Sequence, residues 1–402
     1  MNSILDLADV IDCLHNTPTY SSHGFPIIRV EDINNEFLDY SECLRVSEDV
    51  CDFQNKKYVP KKDDIIITRV GSFGMVGLIN TNDKICLGQN IAILSPKKHG
   101  KFLYYYLQSP YIQKIIHGNS GGSSYKSLSL DMIRKLPLKI EHLDLDHIGD
   151  ILYKIDTKID NNRKIIYNIQ KIMETTYYRW FVDFEFPINE NDTYLSSNGE
   201  MEYSEKLKQQ IPKNWGYEKL SDILVKKTNG IKSKDAKKMK YTPIDCLDTK
   251  KISFNRTTPS EKANSSLITY KEGNIVFGSM RPYFHRVAIA PFDGVTRTTA
   301  FIFEPKMEDT LGYAYETLNL DKTVKFAVAT SKGTQQPYAV WDNVLSEYVV
   351  PKAPEELKKK YSKYVEPMIK KALNTTVEIE NLINLKNYLM PLLMNGQIKI
   401  SE

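Results

Sequence analysis

The chain repeats itself once, at a distance of about 210 residues, and this duplication constrains its fold more than any other feature. Residues 61–79 align with residues 271–289, so that Asp64 corresponds to Asn274 and Ile79 to Ile289. In each half an apolar run ending in Pro-Lys follows, then a loop of glycine and hydroxyl residues, then a long helical stretch. Solenoid repeats have periods of about 20–50 residues, so this much longer period indicates two duplicated domains.

The two helical stretches carry a heptad pattern. From Ile148 to Trp180, apolar residues recur at alternating spacings of four and three, and the second half repeats the pattern 213 residues later. Such a seam is typical of a coiled coil, and two seams in one chain most simply pair with each other. Asn162 and Thr375 interrupt the two seams at equivalent positions. We expect these two side chains to meet near the midpoint of an antiparallel pair and to fix its register.

Together these features predict an α+β fold. Two duplicated mixed α/β domains are separated by two long helices that pack antiparallel as a coiled coil about a pseudo-twofold axis. A connector is expected where turn residues cluster and periodicity is lost, and Pro367 predicts a kink or a later start of the second helix. The predicted segments are a first domain at 1–145, a first helix at 146–182, the connector at 183–210, a second domain at 211–353, a second helix at 354–396 and a tail at 397–402.

Composition excludes several classes of protein. Of the 402 residues, 41% are hydrophobic and 26% are charged, which is typical of a soluble globular chain. No apolar run reaches the ~20 residues that a membrane span needs, so we expect no membrane association. The five cysteines are widely spaced and form no C-x-x-C pair. This pattern suits a reducing compartment and predicts a cytoplasmic location.

The motifs of covalent chemistry are missing. The glycines at 71–77 lack the G-x-G-x-x-G spacing of a dinucleotide loop, and there is no P-loop, H-E-x-x-H or G-x-S-x-G motif. We therefore predict no catalytic residue, no metal site and no cofactor bound by this chain. Asp245 and Asp248 are the first suspects for a metal-dependent nuclease, but they lie beside a basic run.

Charge and hydrogen-bonding side chains indicate recognition of nucleic acid instead. Residues 226–262 contain eleven Lys and Arg against four Asp and Glu, a net charge of +7 over 37 residues. Such density favours a polyanion, and Arg can read guanine while Gln and Asn can read adenine. For any single residue, a structural hydrogen bond is an equally good interpretation. The predicted DNA-binding residues of the first half are Arg69, Ser72, Gln89, Asn90, Ser123, Ser124, Tyr125 and Lys126. Those of the second half are Lys227, Lys232, Lys234, Lys237, Lys238, Lys240, Arg281, Tyr283, His285, Arg286, Arg297, Lys332, Thr334, Gln335, Gln336 and Tyr338.

Several segments resemble a known family. They are residues 64–74 with 88–94, residues 121–138, the helix end at 178–187, the start of the second copy at 211–220 and the chain end at 389–396. In these segments, which span nearly the whole chain, the sequence resembles the DNA-specificity subunit of type I restriction-modification systems.

The resemblance implies a reader of a bipartite double-stranded DNA target. The two domains would be target-recognition domains that each read one half-site, and the helices would fix their separation and dock two methyltransferase subunits. Restriction subunits, which carry the motor and nuclease, would join that core. Adenine methylation with S-adenosylmethionine, and cleavage with ATP and magnesium, would belong to those partners, which leaves this chain without catalytic activity of its own. The alternatives are a specificity subunit of a type IIB-like enzyme, a nuclease or methyltransferase acting alone, and a coiled-coil adaptor without a DNA role.

Overall fold

The computed structural model describes residues 3–34, 36–118, 127–140, 143–263 and 266–398. The chain divides into two compact units. The first contains Met1–Asp160 and Leu382–Glu402, and the second contains Asn161–Asn381. Each unit therefore holds one mixed α/β domain and a part of both long helices.

The first unit is built around a four-stranded antiparallel sheet in the order β1-β7-β4-β5. A smaller sheet in the order β3-β2-β6 has β2 parallel to β6. Short 3-10 turns lie at Ile4–Asp6 and Val30–Asp32. The strands are β1 (Ala8–Asp12), β2 (Phe25–Ile28), β3 (Arg45–Val46), β4 (Ile65–Thr68), β5 (Val76–Leu78), β6 (Cys86–Leu87) and β7 (Ile91–Pro96). The helices are α1 (Glu48–Gln54), α2 (Gly100–Gln108), α3 (Pro110–Gly118), α4 (Leu130–Arg134) and the first long helix, α5 (Leu145–Tyr177).

The second unit repeats this plan. Its elements continue the chain as β8 (Met201–Ser204), β9 (Gln209–Pro212), β10 (Gly216–Lys219), α6 (Leu220–Ile223), β11 (Leu224–Lys227), β12 (Gly230–Ile231), β13 (Lys240–Tyr241), β14 (Thr258–Pro259), β15 (Leu267–Tyr270) and β16 (Ile275–Gly278). They end with β17 (Val287–Ile289), β18 (Gly294–Arg297), β19 (Ala300–Pro305), α7 (Leu311–Asn319), α8 (Asp321–Ala329), β20 (Val349–Lys352) and the second long helix, α9 (Glu355–Met394). The main sheet has the order β11-β19-β16-β17, and the second sheet has the order β12-β15-β18-β13-β14 with β13 parallel to β18. The strands β8 and β9 form a hairpin that begins in the predicted connector and ends just beyond it.

The duplication extends to individual hydrogen bonds. The N–H of Ile79 donates to the carbonyl of Asp64 over 2.9 Å, and the N–H of Ala290 donates to the carbonyl of Asn274 over 2.8 Å. The structural equivalent of Ile79 is therefore Ala290, one residue beyond the predicted Ile289. The side chains of Asp64 and Asn274 also play the same part, because each accepts the backbone N–H three residues before it. A carboxylate and an amide oxygen serve this turn equally well. The predicted duplicated α+β architecture is thus confirmed.

Each unit has its own apolar core. In the first, α2 contributes the consecutive buried residues Phe102 to Leu107, which pack with β4 and with Leu393 of α9. In the second, Tyr177, Phe181, Tyr313 and Tyr361 form a cluster in which neighbouring ring centroids are 4.9–5.8 Å apart. Such aromatic pairs add to the area that they bury, so they fasten α5, α7 and α9 to one another.

The two long helices pack antiparallel, as predicted. In the first unit Lys386 of α9 contacts Asp156 of α5, and in the second unit Asn162 contacts Glu378 while the hydroxyl of Tyr361 donates to the carbonyl of Met173. Residue numbers therefore fall along one helix as they rise along the other. The α-helix α9 runs without interruption through Pro367, so the later start that this proline could have caused does not occur.

The polar pair of the helical seam differs from the prediction. Asn162 and Thr375 are both buried, with 1% of each exposed. The amide of Asn162 donates to Oε2 of Glu378 over 3.0 Å, whereas the hydroxyl of Thr375 is buried and has no partner among the described residues. Glu378 lies about one helical turn beyond Thr375 and its longer side chain reaches the amide, so Glu378, and not Thr375, satisfies Asn162.

Candidate nucleic-acid interface

In both copies, the two strands that pair with the longest strand of the main sheet, β7 or β19, end at the same edge. In the first copy the register pairs Asp12, at the end of β1, with Ala92, and Thr68, at the end of β4, with Ile91. In the second copy the end of β11 and the end of β16 lie beside the start of β19 in the same way. The residues that follow these strands carry most of the predicted site, so this edge is the candidate interface.

Arg69 is the first residue beyond β4 and is held on two sides. Its Nη1 lies 2.5 Å from Oδ1 of Asp12, and its Nε donates to the carbonyl of Leu128 over 3.1 Å. Its backbone N–H donates to the carbonyl of Asn90, which has a left-handed φ of 65°. These bonds bring the predicted residues Arg69 and Asn90 together at the edge, with Asp12 beside them.

The other predicted residues of the first copy are placed less uniformly. Ser72 is exposed in the turn after Arg69, and its carbonyl accepts the hydroxyl of Thr68 over 2.6 Å. Gln89 is half-buried and donates to the hydroxyl of Thr17 over 3.4 Å. Ser123, Ser124, Tyr125 and Lys126 lie outside the described residues.

In the second copy, the loop at residues 332–338 lies against the end of β16. Tyr338 forms bridges with both Met280 and Lys332, and the N–H of Arg281 donates to the carbonyl of Pro337 over 2.6 Å. The equivalent bridge of the first copy joins Val70 and Ser127. The structure thus brings together a group of exposed predicted residues: Arg281, Tyr283, Lys332, Thr334, Gln335, Gln336 and Tyr338.

Further predicted cations belong to the second sheet and to the segment that follows β12. In the second sheet Leu267 pairs with Ile231 on one side and with Arg297 on the other. Because Lys232 follows Ile231, it lies at the same end of the sheet as Arg297. Within the described ranges, the exposed cations of this part form no ion pair, and their charge remains available to phosphates. They are Lys232, Lys234, Lys237, Lys238 and Arg297.

Three other predicted cations are engaged inside the second unit. Lys227 pairs with Glu304 over 2.9 Å, and the ammonium group lowers the pKa of that carboxyl. Lys240 pairs with Glu380 over 2.7 Å and lies 4.0 Å from the ring centroid of Phe292. Arg286 is 3.3 Å from Asp245 and lies over the ring of Phe284.

The predicted residue His285 faces inward. Its side chain is 8% exposed, and its Nε2 is 2.9 Å from both the carbonyl and the Oδ1 of Asn319. Burial lowers the pKa of this imidazole. The ring therefore links the turn after β16 to α7, so its role is structural.

The two aspartates on which the nuclease alternative depends are also engaged in ion pairs. Asp248 binds Arg256, and Asp245 binds Arg286. Within the described part of the chain, no group of three or more His, Cys, Asp or Glu side chains is arranged to hold a metal ion.

Two features of the edge are not indicated by the sequence. Asp12, which holds Arg69, is separated from it by 57 residues, and only the pairing of β1 with β7 places it there. A cavity of about 300 Å³ beside Tyr338 is lined by Met280, Phe301 and Trp341. No local motif marks either feature, because both arise from tertiary packing.

No helix in the described ranges combines the length and the apolar character that crossing a membrane would take.

Comparison with known proteins shows which proteins the chain is similar to. Residues 6–171 match the type I restriction modification DNA specificity domain. The MjaIX type I restriction enzyme specificity subunit of Methanocaldococcus jannaschii is 23% identical over 353 residues, which cover 85% of this chain and 79% of the relative. The EcoBI type I specificity subunit of Escherichia coli is 27% identical over 127 residues, or 31% of this chain and 27% of that one.

A solved structure has the same fold over almost the full length. The S subunit of a type I restriction-modification system from M. genitalium aligns with a TM-score of 0.57 at 17% identity, covering 99% of this chain and 96% of that chain. The domain match, the relatives and the duplicated architecture agree with one another. The chain is thus similar to the DNA-specificity subunits of type I restriction-modification systems, and its residues 6–171 match their DNA specificity domain.

Proposed function

We propose that each of the two domains reads one half of a bipartite double-stranded DNA target, with the strand edge described above facing the DNA. The observation that carries this proposal is that both copies present the same edge, built by the same strand order and the same backbone hydrogen bonds. A specificity subunit needs two readers of one design with different side chains, and the duplicated edge supplies them.

The second domain makes two kinds of DNA contact, with phosphates and with base edges. The exposed lysines at residues 232–238 bind phosphates, because they are unneutralised within the described residues and phosphate contacts position a protein on DNA without reading its sequence. The exposed side chains of Arg281, Gln335 and Gln336 reach base edges, because Arg and Gln offer the paired donors and acceptors that distinguish bases in the major groove. Lys227, Lys240, Arg286 and His285 are assigned to internal support, since each is held by a partner within the unit.

The proposal extends to the partners of the chain. Two methyltransferase subunits bind it, in keeping with a chain that offers the same architecture twice, and restriction subunits join the complex. S-adenosylmethionine, ATP and magnesium are used by those partners, and the chain itself catalyses no reaction. The complex works in the cytoplasm, where its DNA and its nucleotide cofactors are found.

The test is to co-express the chain with its methyltransferase and to map methylated adenines across the host genome. We expect a single motif made of two specific halves separated by a gap of unspecified bases. Purified complex should also bind a duplex that carries this motif, with an affinity that falls as salt rises. A methylated motif without a gap, or equal binding to all duplexes, would contradict the proposal.

A matched pair of variants localises the contact. Replacing Lys237 and Lys238 by alanine should weaken DNA binding, whereas replacing Lys206 and Lys208 in the β8–β9 hairpin should leave it unchanged, although both pairs are exposed. The chain should also be incubated alone with S-adenosylmethionine and DNA. Methyl transfer without the partner would favour a stand-alone methyltransferase.

A further inference from the structure

The two copies carry different side chains at one equivalent position of the recognition edge. The N–H of Arg69 donates to Asn90 over 2.8 Å, and the N–H of Ser279 donates to Thr299 over 2.9 Å. The carbonyls of the same two residues accept from Leu128 and Ala339, each over 2.8 Å. Arg69 and Ser279 therefore occupy the same place in the same backbone frame.

The acidic partner of Arg69 is replaced as well. Asp12 lies opposite Ala92 in the register of β1 with β7. In the second copy, Lys227 lies opposite Ile302, so the corresponding position is the next residue, Thr228. The ion pair of the first copy has no counterpart in the second, and both of its members change together. Because two domains that read different half-sites must differ where they touch the bases, this position is a candidate for setting base identity.

Arg69 is held in a fixed orientation, but not all of its hydrogen-bond donors are used. A guanidinium group has five N–H donors, and the bonds to Asp12 and Leu128 use Nη1 and Nε. Nη2 makes no hydrogen bond with any residue in the described ranges, and 18% of the side chain is exposed. The side chain thus keeps donors on one edge of its planar fork. Its rotamer is fixed in advance, so little conformational entropy is lost when those donors find a ligand.

Asp12 holds the arginine and is itself surrounded by basic side chains. Its Oδ2 is 3.2 Å from Nε2 of His15 and 3.4 Å from Nζ of Lys57. The carboxylate would repel a DNA phosphate if it stood alone, but three basic side chains enclose it. Asp12 is therefore suited to orient Arg69 without making the edge negative.

We propose that Arg69 reads a guanine in the half-site of the first domain and that Asp12 is its positioning residue. Guanine offers N7 and O6 as two adjacent acceptors in the major groove, and the paired N–H groups of an arginine fit them. The inference rests on the proposed function, since it requires that the first domain bind DNA at this edge. Ser279 and Thr228 lack such a fork, so the two half-sites differ at this position.

The experiment maps the methylated motif of the complex with its methyltransferase, for the wild type and for three variants. Arg69→Lys keeps a positive charge beside Asp12 but loses the fork, and Asp12→Asn loosens the arginine. Lys97→Ala is the matched control, because it removes a lysine from an ion pair with Asp9 near the opposite end of β1. Arg69→Lys should reduce discrimination at one guanine of one half-site by about 5- to 160-fold, the loss that corresponds to a bidentate base contact. Asp12→Asn should relax the same position less strongly, and Lys97→Ala should leave the motif unchanged.

A second measurement works on the wild-type complex and so does not depend on any variant folding. Each guanine of the target is replaced in turn by 7-deazaguanine, which lacks the N7 acceptor, and binding is compared. One guanine should be sensitive in the wild type and insensitive in Arg69→Lys. The inference is overturned if no guanine of either half-site depends on N7, or if Arg69→Lys leaves the motif unchanged or relaxes both halves equally. A wild-type complex that modifies no bipartite motif would instead overturn the proposed function, so the two failures are distinguishable.

Discussion

Lys386 on α9 donates a hydrogen bond to Asp156 on α5 over 2.7 Å, deep in the first unit, where only 11% and 8% of the two side chains are exposed. The other oxygen of Asp156 accepts the hydroxyl of Tyr105 over 2.9 Å. Both oxygens of a buried carboxylate are thus satisfied, one by a cation and one by a neutral donor. This arrangement compensates for the loss of water around the charge.

Removing only the cation should be costly. Lys386→Met leaves the charge of Asp156 buried without its partner, and we expect the free energy of unfolding to fall by about 3–5 kcal/mol. Urea unfolding of the full chain measures this loss. Lys171→Met is the control, because Lys171 pairs with Glu174 on the exposed surface, where a pair contributes about 0–1 kcal/mol. The double variant Lys386→Met with Asp156→Leu should recover most of the loss, and equal losses for the single and double variants would contradict this account.

The two polar residues of the helical seam should respond in opposite ways. Thr375→Val removes a buried hydroxyl that has no partner among the described residues, so stability should stay the same or rise. Asn162→Leu removes the donor that Glu378 accepts over 3.0 Å, so stability should fall by about 1–3 kcal/mol. Thermal unfolding of the two variants side by side tests this contrast. A clear loss for Thr375→Val would show that its hydroxyl has a partner after all.

The basic segment should divide into phosphate contacts and an anchor. Lys237→Ala and Lys238→Ala should each flatten the plot of log binding constant against log salt concentration by about 0.9, the effect of losing one phosphate contact. Lys240→Ala should leave this slope unchanged, because Lys240 is paired with Glu380. Titrations of the assembled complex at several salt concentrations measure the slopes. Three equal slopes that all match the wild type would mean that these lysines do not contact DNA.

A buried acid of the second unit should make stability depend on pH. Burial, reinforced by the nearby carboxylate of Glu174, raises the pKa of Glu316 from 4.5 to about 8, and its Oε1 has no partner within the described residues. The folded state therefore keeps a proton that the unfolded state releases above about pH 4.5. The contribution of this group to stability is complete below that pH and is lost as the pH rises towards 8, by up to about 1.4 kcal/mol per unit.

Glu316→Gln tests the sign of this effect, because the amide stays neutral at every pH. Urea unfolding at pH 5, 6, 7 and 8 should show a gain in stability of the variant over the wild type that grows as the pH rises. A constant difference between the two proteins across this range would rule out the titration of Glu316.

The sequence predicted those parts of the fold that repeat. The correspondence of Asp64 with Asn274 could be found because one turn needs a side-chain acceptor at that place in both copies. The antiparallel helices could be found because a coiled-coil seam has a fixed spacing along the chain. Features of this kind depend on the spacing of residues along the chain, and that spacing can be read directly from the sequence.

The site was harder to predict, because its residues are selected by tertiary contacts. His285 and Lys240 have the same composition signal as Arg281 and Lys238, yet the first two bind Asn319 and Glu380 while the other two are exposed. The partner of Asn162 was missed for a similar reason. Heptad spacing identifies equivalent positions, but the reach of the side chains decides that the amide binds Glu378.

The first unit is discontinuous in sequence, since the 221 residues of the second unit (161–381) separate its two parts. A ribosome that adds about 5–20 residues per second needs about 10–45 s to cross this stretch. During that time Asp156 lacks Lys386, and the apolar face around Ile148 and Leu152 lacks Leu393 and Met394. A transcript cut short before residue 382 therefore yields a chain whose first domain stays open to chaperones and proteases. Only chains that contain the whole second unit can therefore complete the core of the first.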